Sequence, residues 1–93
     1  MLILVVLCAS WCPKCHMMLP IVDELEMEFL GEWKIRRIDI EKQPDEATNY
    51  DIEIVPTFIL QKDGNEIGRM AGMIGEETLK RRLRDLVERR KKE

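Results

Sequence analysis

The chain has no apolar run long enough to cross a membrane. The longest, Met1 to Ala9, falls far short of the about 20 residues that a bilayer requires. That run also lacks a basic leader and a small-residue cleavage site, so it reads as structure and not as a signal peptide. Internal repeats, low-complexity segments and long linkers are absent, which excludes a collagen-like chain. Histidine occurs once, and the three cysteines, Cys8, Cys12 and Cys15, all fall within the first sixth of the sequence. A secreted disulfide scaffold would spread an even number of cysteines along its length to staple distant loops. The clustering therefore points to one local site. With no export signal, we expect a cytoplasmic protein in a reducing compartment, where paired thiols are redox-active or metal-binding.

What is present suffices for one globular core. The chain has 93 residues, 45% of them hydrophobic and 35% charged, with a net charge of -3. That length holds one domain, 1–93, and no multidomain enzyme. Charge is uneven: residues 1–78 carry 7 basic and 15 acidic side chains, and residues 79–93 carry 8 basic and 3 acidic. A basic tail can serve nucleic acid or an acidic membrane surface. Here Leu79, Leu83, Leu86 and Val87 recur among those charges at helical spacing, with Glu76 and Glu77 near the start and the Arg/Lys run at the end, which suits the helix dipole. The tail is thus expected to be a solvated amphipathic helix, and neither a nucleic acid nor a membrane is expected as a partner.

Along the chain, Leu2 to Leu7 reads as a strand buried on both faces. Pro13 suits the first turn of a helix, which continues from Cys15 to Leu30 with a kink expected at Pro20 and an end at Gly31. Trp33 to Ile40 reads as a second strand, Pro44 to Tyr50 as a short helix and Ile54 to Leu60 as a third strand. Lys62-Asp63-Gly64-Asn65 is a hairpin turn leading into a strand over Glu66 to Ala71, and a last helix covers Gly75 to Arg90. The expected class is α/β with the order β-α-β-α-β-β-α. A right-handed crossover joins two parallel strands, and the hairpin adds an antiparallel pair.

The sharpest signal is Cys12-Pro13-Lys14-Cys15, placed after a buried strand and at the start of a helix. Two intervening residues at a helix start let the sulfurs approach bonding distance. The free N–H groups of the first turn and the positive end of the dipole favour a thiolate at Cys12. Lys14 and His16 add positive charge nearby. Cys15, one turn further in, should be more buried and less acidic. Cys12 then attacks a substrate disulfide and Cys15 resolves the mixed disulfide.

The same residues admit other readings. Cys8, Cys12 and Cys15 spell C-x-x-x-C-x-x-C, which resembles the iron–sulfur signature of radical SAM enzymes, but those need a barrel larger than this chain can build. Zinc could use Cys8, Cys12, Cys15 and His16, although structural zinc sites draw ligands from two separate stretches. Cys8 reads as a small buried hydrophobe or as a third thiol able to exchange with the pair. Pro56 reads as an edge or turn proline, Trp11 as core or as an exposed shelf for partners, and His16 as a solvated first-turn residue or a tuning group.

These motifs together resemble the thioredoxin family. Ala9-Ser10-Trp11-Cys12-Pro13-Lys14-Cys15 is similar to its A-x-W-C-x-x-C active site, and Pro20 falls at its helix proline. Tyr50 to Thr57 is similar to its Y-x-I-x-x-[IV]-P-T segment, Lys62-Asp63-Gly64 to its hairpin and Gly72 to a glycine of its substrate-binding face. The resemblance implies a thioredoxin fold with a four-stranded mixed sheet flanked by helices, starting at the active-site strand without the usual first strand and helix. It implies dithiol–disulfide exchange on protein substrates, with Cys12 and Cys15 as the redox-active disulfide and a thioredoxin reductase or other reductant as the electron source. It also implies a cis Pro56 that offers the Val55 main chain to an extended substrate, beside Trp11, Pro13, Lys14 and Gly72. No cofactor and no metal are expected.

The departures from the pattern carry expectations of their own. The family's buried acid is Val6 here and its lysine partner is Arg37, so proton removal from Cys15 must run otherwise, through water or His16. Cys8 stands where thioredoxins commonly carry tryptophan. Proline directly after the first cysteine is a glutaredoxin habit, which keeps a glutathione-dependent oxidoreductase as one alternative; a non-catalytic binding domain with metal-binding cysteines is another. With no strand beside it, Trp33 to Ile40 becomes a sheet edge. Lys34, Arg36 and Arg37 then discourage pairing between copies, and a monomer is expected.

Overall fold

The computed structural model describes residues 1–29 and 31–92. Leu30, the expected end of the first helix, and the side chains of the Arg/Lys run from Arg89 to Lys92 lie outside the described residues. The elements follow the order β1 (Leu2–Cys8), α1 (Pro13–Glu28), β2 (Trp33–Asp39), α2 (Pro44–Asn49), β3 (Thr57–Lys62), β4 (Asn65–Ala71) and α3 (Glu76–Lys92).

The four strands form one mixed sheet in the order β2-β1-β3-β4. β1 runs parallel to β2 and antiparallel to β3, and β3 pairs antiparallel with β4. The unbroken apolar run of β1 now has its reason. Leu4 and Val6 join Met18, Val22, Leu25, Phe58, Leu79 and Leu83 in the core between the sheet and α1 and α3. Val5 and Leu7 join Ile38, Ala47 and Ile59 beneath α2. Successive side chains of a strand point to opposite faces, and both faces are covered, so every position of β1 must be apolar.

Three boundaries are physically informative. Expected from Ile54, β3 begins at Thr57 instead: Pro56 has no N–H for a ladder bond, and Ile54 stands 51% exposed outside the sheet. The β3–β4 hairpin closes on Asp63 and Gly64, both at positive φ (50° and 86°), as a two-residue turn between twisted strands requires. α1 continues through Pro20 to Glu28, with that proline on the exposed side of the helix.

The basic tail is answered locally. Leu79 and Leu83 are buried, while Lys80 and Arg84 both reach Glu28 of α1 at 2.7 Å. The charges expected to guard the β2 edge need correction. Arg36 pairs with Glu46 of α2, and Arg37 bonds Asp23 at 2.7 Å and Glu26 at 3.2 Å. β2 is an edge strand, but two of its three cations are already engaged by acids of the same chain.

Candidate active site

The site forms where β1 hands over to α1. β1 ends at Cys8, Ala9 is buried, and Ser10–Trp11 turn the chain so that Cys12 becomes the N-cap of α1 with Pro13 in the first turn. The Cys12 N–H donates to the Ala9 carbonyl at 3.1 Å, and the Cys12 carbonyl accepts from the His16 N–H at 3.2 Å. No acidic residue occupies the first turn of α1, so nothing there competes with a thiolate for the exposed N–H groups. Cys8, Cys12 and Cys15 are free thiols.

The environment separates the three sulfurs. The backbone N–H of Cys15 holds the Cys12 thiol below its ordinary pKa, helped by the Cys15 side chain and by the N–H and charge of Lys14, against the opposing effect of burial. Burial pushes Cys15 up to about 12, only partly offset by the Ala9 backbone. Burial likewise raises Cys8, while its hydrogen bond with Cys15 and the Arg37 guanidinium pull the other way. The two cysteines of the motif are thus unlike: an acidic sulfur beside a thiol that keeps its proton. Alkylation of Cys12 by iodoacetamide should therefore show its half-maximal rate at a pH below that of an unperturbed cysteine, about 8.5. A midpoint at or above that value in Cys8→Ala/Cys15→Ser protein carrying only Cys12 would mean that the Lys14 and Cys15 N–H groups do not support the thiolate.

On one side of the pair lies a groove of about 690 Å³. It brings together Trp11, Cys12, Pro13, Lys14, Val55 and Gly72, which the sequence had nominated from separate segments. Trp11 is 64% exposed, as a shelf and not as core. The Val55–Pro56 bond is cis, Pro56 is buried, and the Cys12 thiol donates to the Val55 carbonyl at 3.9 Å. Gly72 sits at φ +88 and donates its N–H to the Pro56 carbonyl at 2.8 Å. Ile40, Ile52, Glu53 and Ile54 complete the lining. Sequence reasoning had assigned Ile40 and Ile54 to strands; the polar or proline neighbours that end those strands were the available signal.

A separate cavity of about 250 Å³ adjoins Cys15 and is lined by Val6, Cys8, Cys15, His16, Arg37 and Asp39 among others. Val6 and Arg37, which the resemblance sets at the buried acid and its partner, both line this space. His16 is exposed at the rim of this cavity, and its Nε2–H donates to the Ser10 carbonyl at 2.7 Å, which ties the ring to the turn. Among the described residues no group of three or more His, Cys, Asp or Glu side chains is arranged to hold a metal ion, and no helix is long and apolar enough to cross a membrane.

The sequence matches the thioredoxin family model over residues 1–85. It is 34% identical over 79 residues to a thioredoxin of Mycobacterium tuberculosis, covering 85% of this chain and 68% of that protein. It is 39% identical over 87 residues to the chloroplastic thioredoxin M4 of Arabidopsis thaliana, covering 92% of this chain and 45% of that one. A solved structure from work on thiol resolution in yeast mitochondrial 1-Cys peroxiredoxin via glutathione/thioredoxin systems superposes with a TM-score of 0.82 at 27% identity, covering 90% of this chain and 77% of the other.

Proposed function

Since the chain belongs to the thioredoxin family and has its fold, we propose that it reduces protein disulfides by dithiol exchange. Cys12 is the attacking thiolate and Cys15 the resolving thiol. The observation that carries this reading is the contrast between the two sulfurs: Cys12 is lowered by N–H groups of the first turn, and Cys15 is held at about 12 by burial. An extended substrate segment lies in the groove between Trp11 and Gly72, where main-chain groups around Val55 and Gly72 bond it and Trp11 gives it an apolar shelf. Cys12 attacks the nearer substrate sulfur and a mixed disulfide forms. Cys15 then attacks the Cys12 sulfur, the substrate leaves as a dithiol, and Cys12–Cys15 remains as the disulfide. A reductase or another dithiol returns the pair to the reduced state.

Freshly purified protein should take up two electrons reversibly against a glutathione buffer, contain no bound metal and accelerate the reduction of insulin disulfides by dithiothreitol. A stoichiometric metal that blocks Cys12 and Cys15 from thiol reagents would favour a metal-binding domain and sink the enzyme reading. The measured potential decides between a reductant and an oxidase or isomerase.

In this reading the protein acts as a monomer. Arg36 and Arg37 are already engaged by Glu46, Asp23 and Glu26, so among the three cations of the β2 edge Lys34 is the one left to oppose pairing of two copies, at roughly 0.2–1 kcal/mol for a close like-charged pair. Sedimentation at micromolar concentration should give a single species of monomer mass at both physiological and high salt. A dimer that persists under both conditions would show that these cations do not guard the edge, and their internal pairing with Glu46, Asp23 and Glu26 would be the reason.

A further inference from the structure

Three thiols, not two, meet at this site. Cys8, the last residue of β1, packs against the cluster of Ala9, Cys12 and Cys15 and lines one cavity with Cys15, and the Cys15 thiol interacts with the thiols of both Cys8 and Cys12. Cys15 is therefore the common neighbour. The two open spaces separate its partners: Cys8 and Cys15 line the cavity behind the site, and Cys12 lines the substrate groove in front. Displacement at a disulfide sulfur needs the nucleophile on one side and the leaving group on the other, and Cys8 lines a space that Cys12 does not.

We propose that the oxidised chain rearranges internally, Cys8 displacing Cys12 from Cys15, so that the protein becomes a monothiol carrier with Cys12 free. This rests on the reading of Cys12 and Cys15 as a redox pair. The Cys8 thiolate attacks the Cys15 sulfur and a Cys8–Cys15 bond forms. The Cys12–Cys15 bond breaks, and Cys12 departs with the electron pair as a thiolate. The proton of Cys8 is lost to solvent through the cavity, and there is no net oxidation or reduction. The sulfur with the lower pKa leaves faster, and that sulfur is Cys12, whose charge the Cys15 N–H and Lys14 support. Attack in the other sense, on the Cys12 sulfur, would expel Cys15, whose thiol binds its proton far more tightly. Because Cys8 is itself held protonated by burial, the rearrangement is slow beside substrate turnover, in the range of minutes to hours typical of uncatalysed disulfide rearrangement. The product carries a nucleophile with no resolving thiol. Its Cys12 attacks a second disulfide partner, releases one partner thiolate and holds the other half covalently until the external dithiol that also reduces the redox pair cleaves Cys8–Cys15 and frees Cys15 to resolve it.

The test is a map of the one free thiol in the oxidised full-length chain. Wild-type protein is oxidised with excess oxidised dithiothreitol, freed of reagent and held at neutral pH. Samples are quenched in acid at intervals, denatured and labelled with N-ethylmaleimide at low pH before peptide mapping by mass spectrometry. The label should start on Cys8 and shift in part to Cys12 with time. Cys8→Ala treated in the same way should form an internal Cys12–Cys15 disulfide and take no label. Cys12→Ser should form an internal Cys8–Cys15 disulfide with diamide, as a monomer. Label that stays on Cys8 throughout overturns this inference and leaves the redox pair standing. Label on Cys15, or Cys8→Ala protein that forms no internal disulfide, overturns both. A Cys12→Ser protein that keeps two titratable thiols after diamide also overturns the inference, because the two sulfurs then do not meet.

Discussion

Replacing Cys12 by serine should bring insulin reduction down to the background rate of the reductant alone, whereas Cys15→Ser should leave a protein that attacks but does not let go. The two outcomes follow from the different environments of two sulfurs in one turn. The Cys15 and Lys14 N–H groups that lower the Cys12 pKa act on a thiolate. A serine hydroxyl in the same place remains protonated at neutral pH and is no nucleophile toward sulfur. Cys15 is 2% exposed, pushed up to about 12 and placed behind Cys12 as seen from the groove. It meets the substrate only after Cys12 has been joined to it, when the Cys12 sulfur becomes an electrophile within reach. Without it, the mixed disulfide lacks its nearest resolving thiol. Mass spectrometry of Cys15→Ser incubated with a disulfide protein should therefore find a covalent adduct through Cys12 that dithiothreitol releases, and Cys12→Ser should give none. Adducts on Cys12→Ser with none on Cys15→Ser would reverse the roles.

Much of this site could be read along the chain because its chemistry is local. The C-x-x-C spacing, the strand before it and the proline that opens α1 are contiguous, and local features of this kind follow from sequence with little help from tertiary contacts. The β1 run was equally plain, because a strand covered on both faces tolerates no polar residue. What escaped were features fixed by distant parts of the chain. Arg36 and Arg37 looked like free edge charges, yet their partners lie 10 to 14 residues away on α2 and α1. The start of β3 was misplaced because Ile54 and Val55 are apolar for the sake of the groove and not of the sheet. For Cys8 the sequence left two readings open, a small buried hydrophobe and a third exchanging thiol, because its approach to Cys15 depends on which face of β1 the eighth residue occupies and on where α1 passes over it.

Phe58→Ala should be the most damaging single change outside the cysteines, costing about 3–5 kcal/mol. Phe58 is the largest of the fully buried side chains among the described residues. It pairs with Val6 on β1 and Met70 on β4, and packs in the core between the sheet and α1 and α3. The two central strands and one flanking layer therefore meet at this ring, and a cavity there has few neighbours free to collapse into it. A chain of 93 residues has a total stability of roughly 5–14 kcal/mol at 0.05–0.15 kcal/mol per residue, so the loss is a large part of the whole. Urea denaturation of the reduced protein should show a much lower midpoint with an unchanged slope, and Phe58→Leu should fall in between. The chemistry should respond differently. The N–H groups that support the Cys12 thiolate belong to the first turn of α1, not to β3. In the folded fraction of Phe58→Ala the pH midpoint of Cys12 alkylation should therefore match that of the parent. A midpoint moved up toward that of a free cysteine would show that β3, which begins two residues after Val55, holds the site in place more than the helix start does.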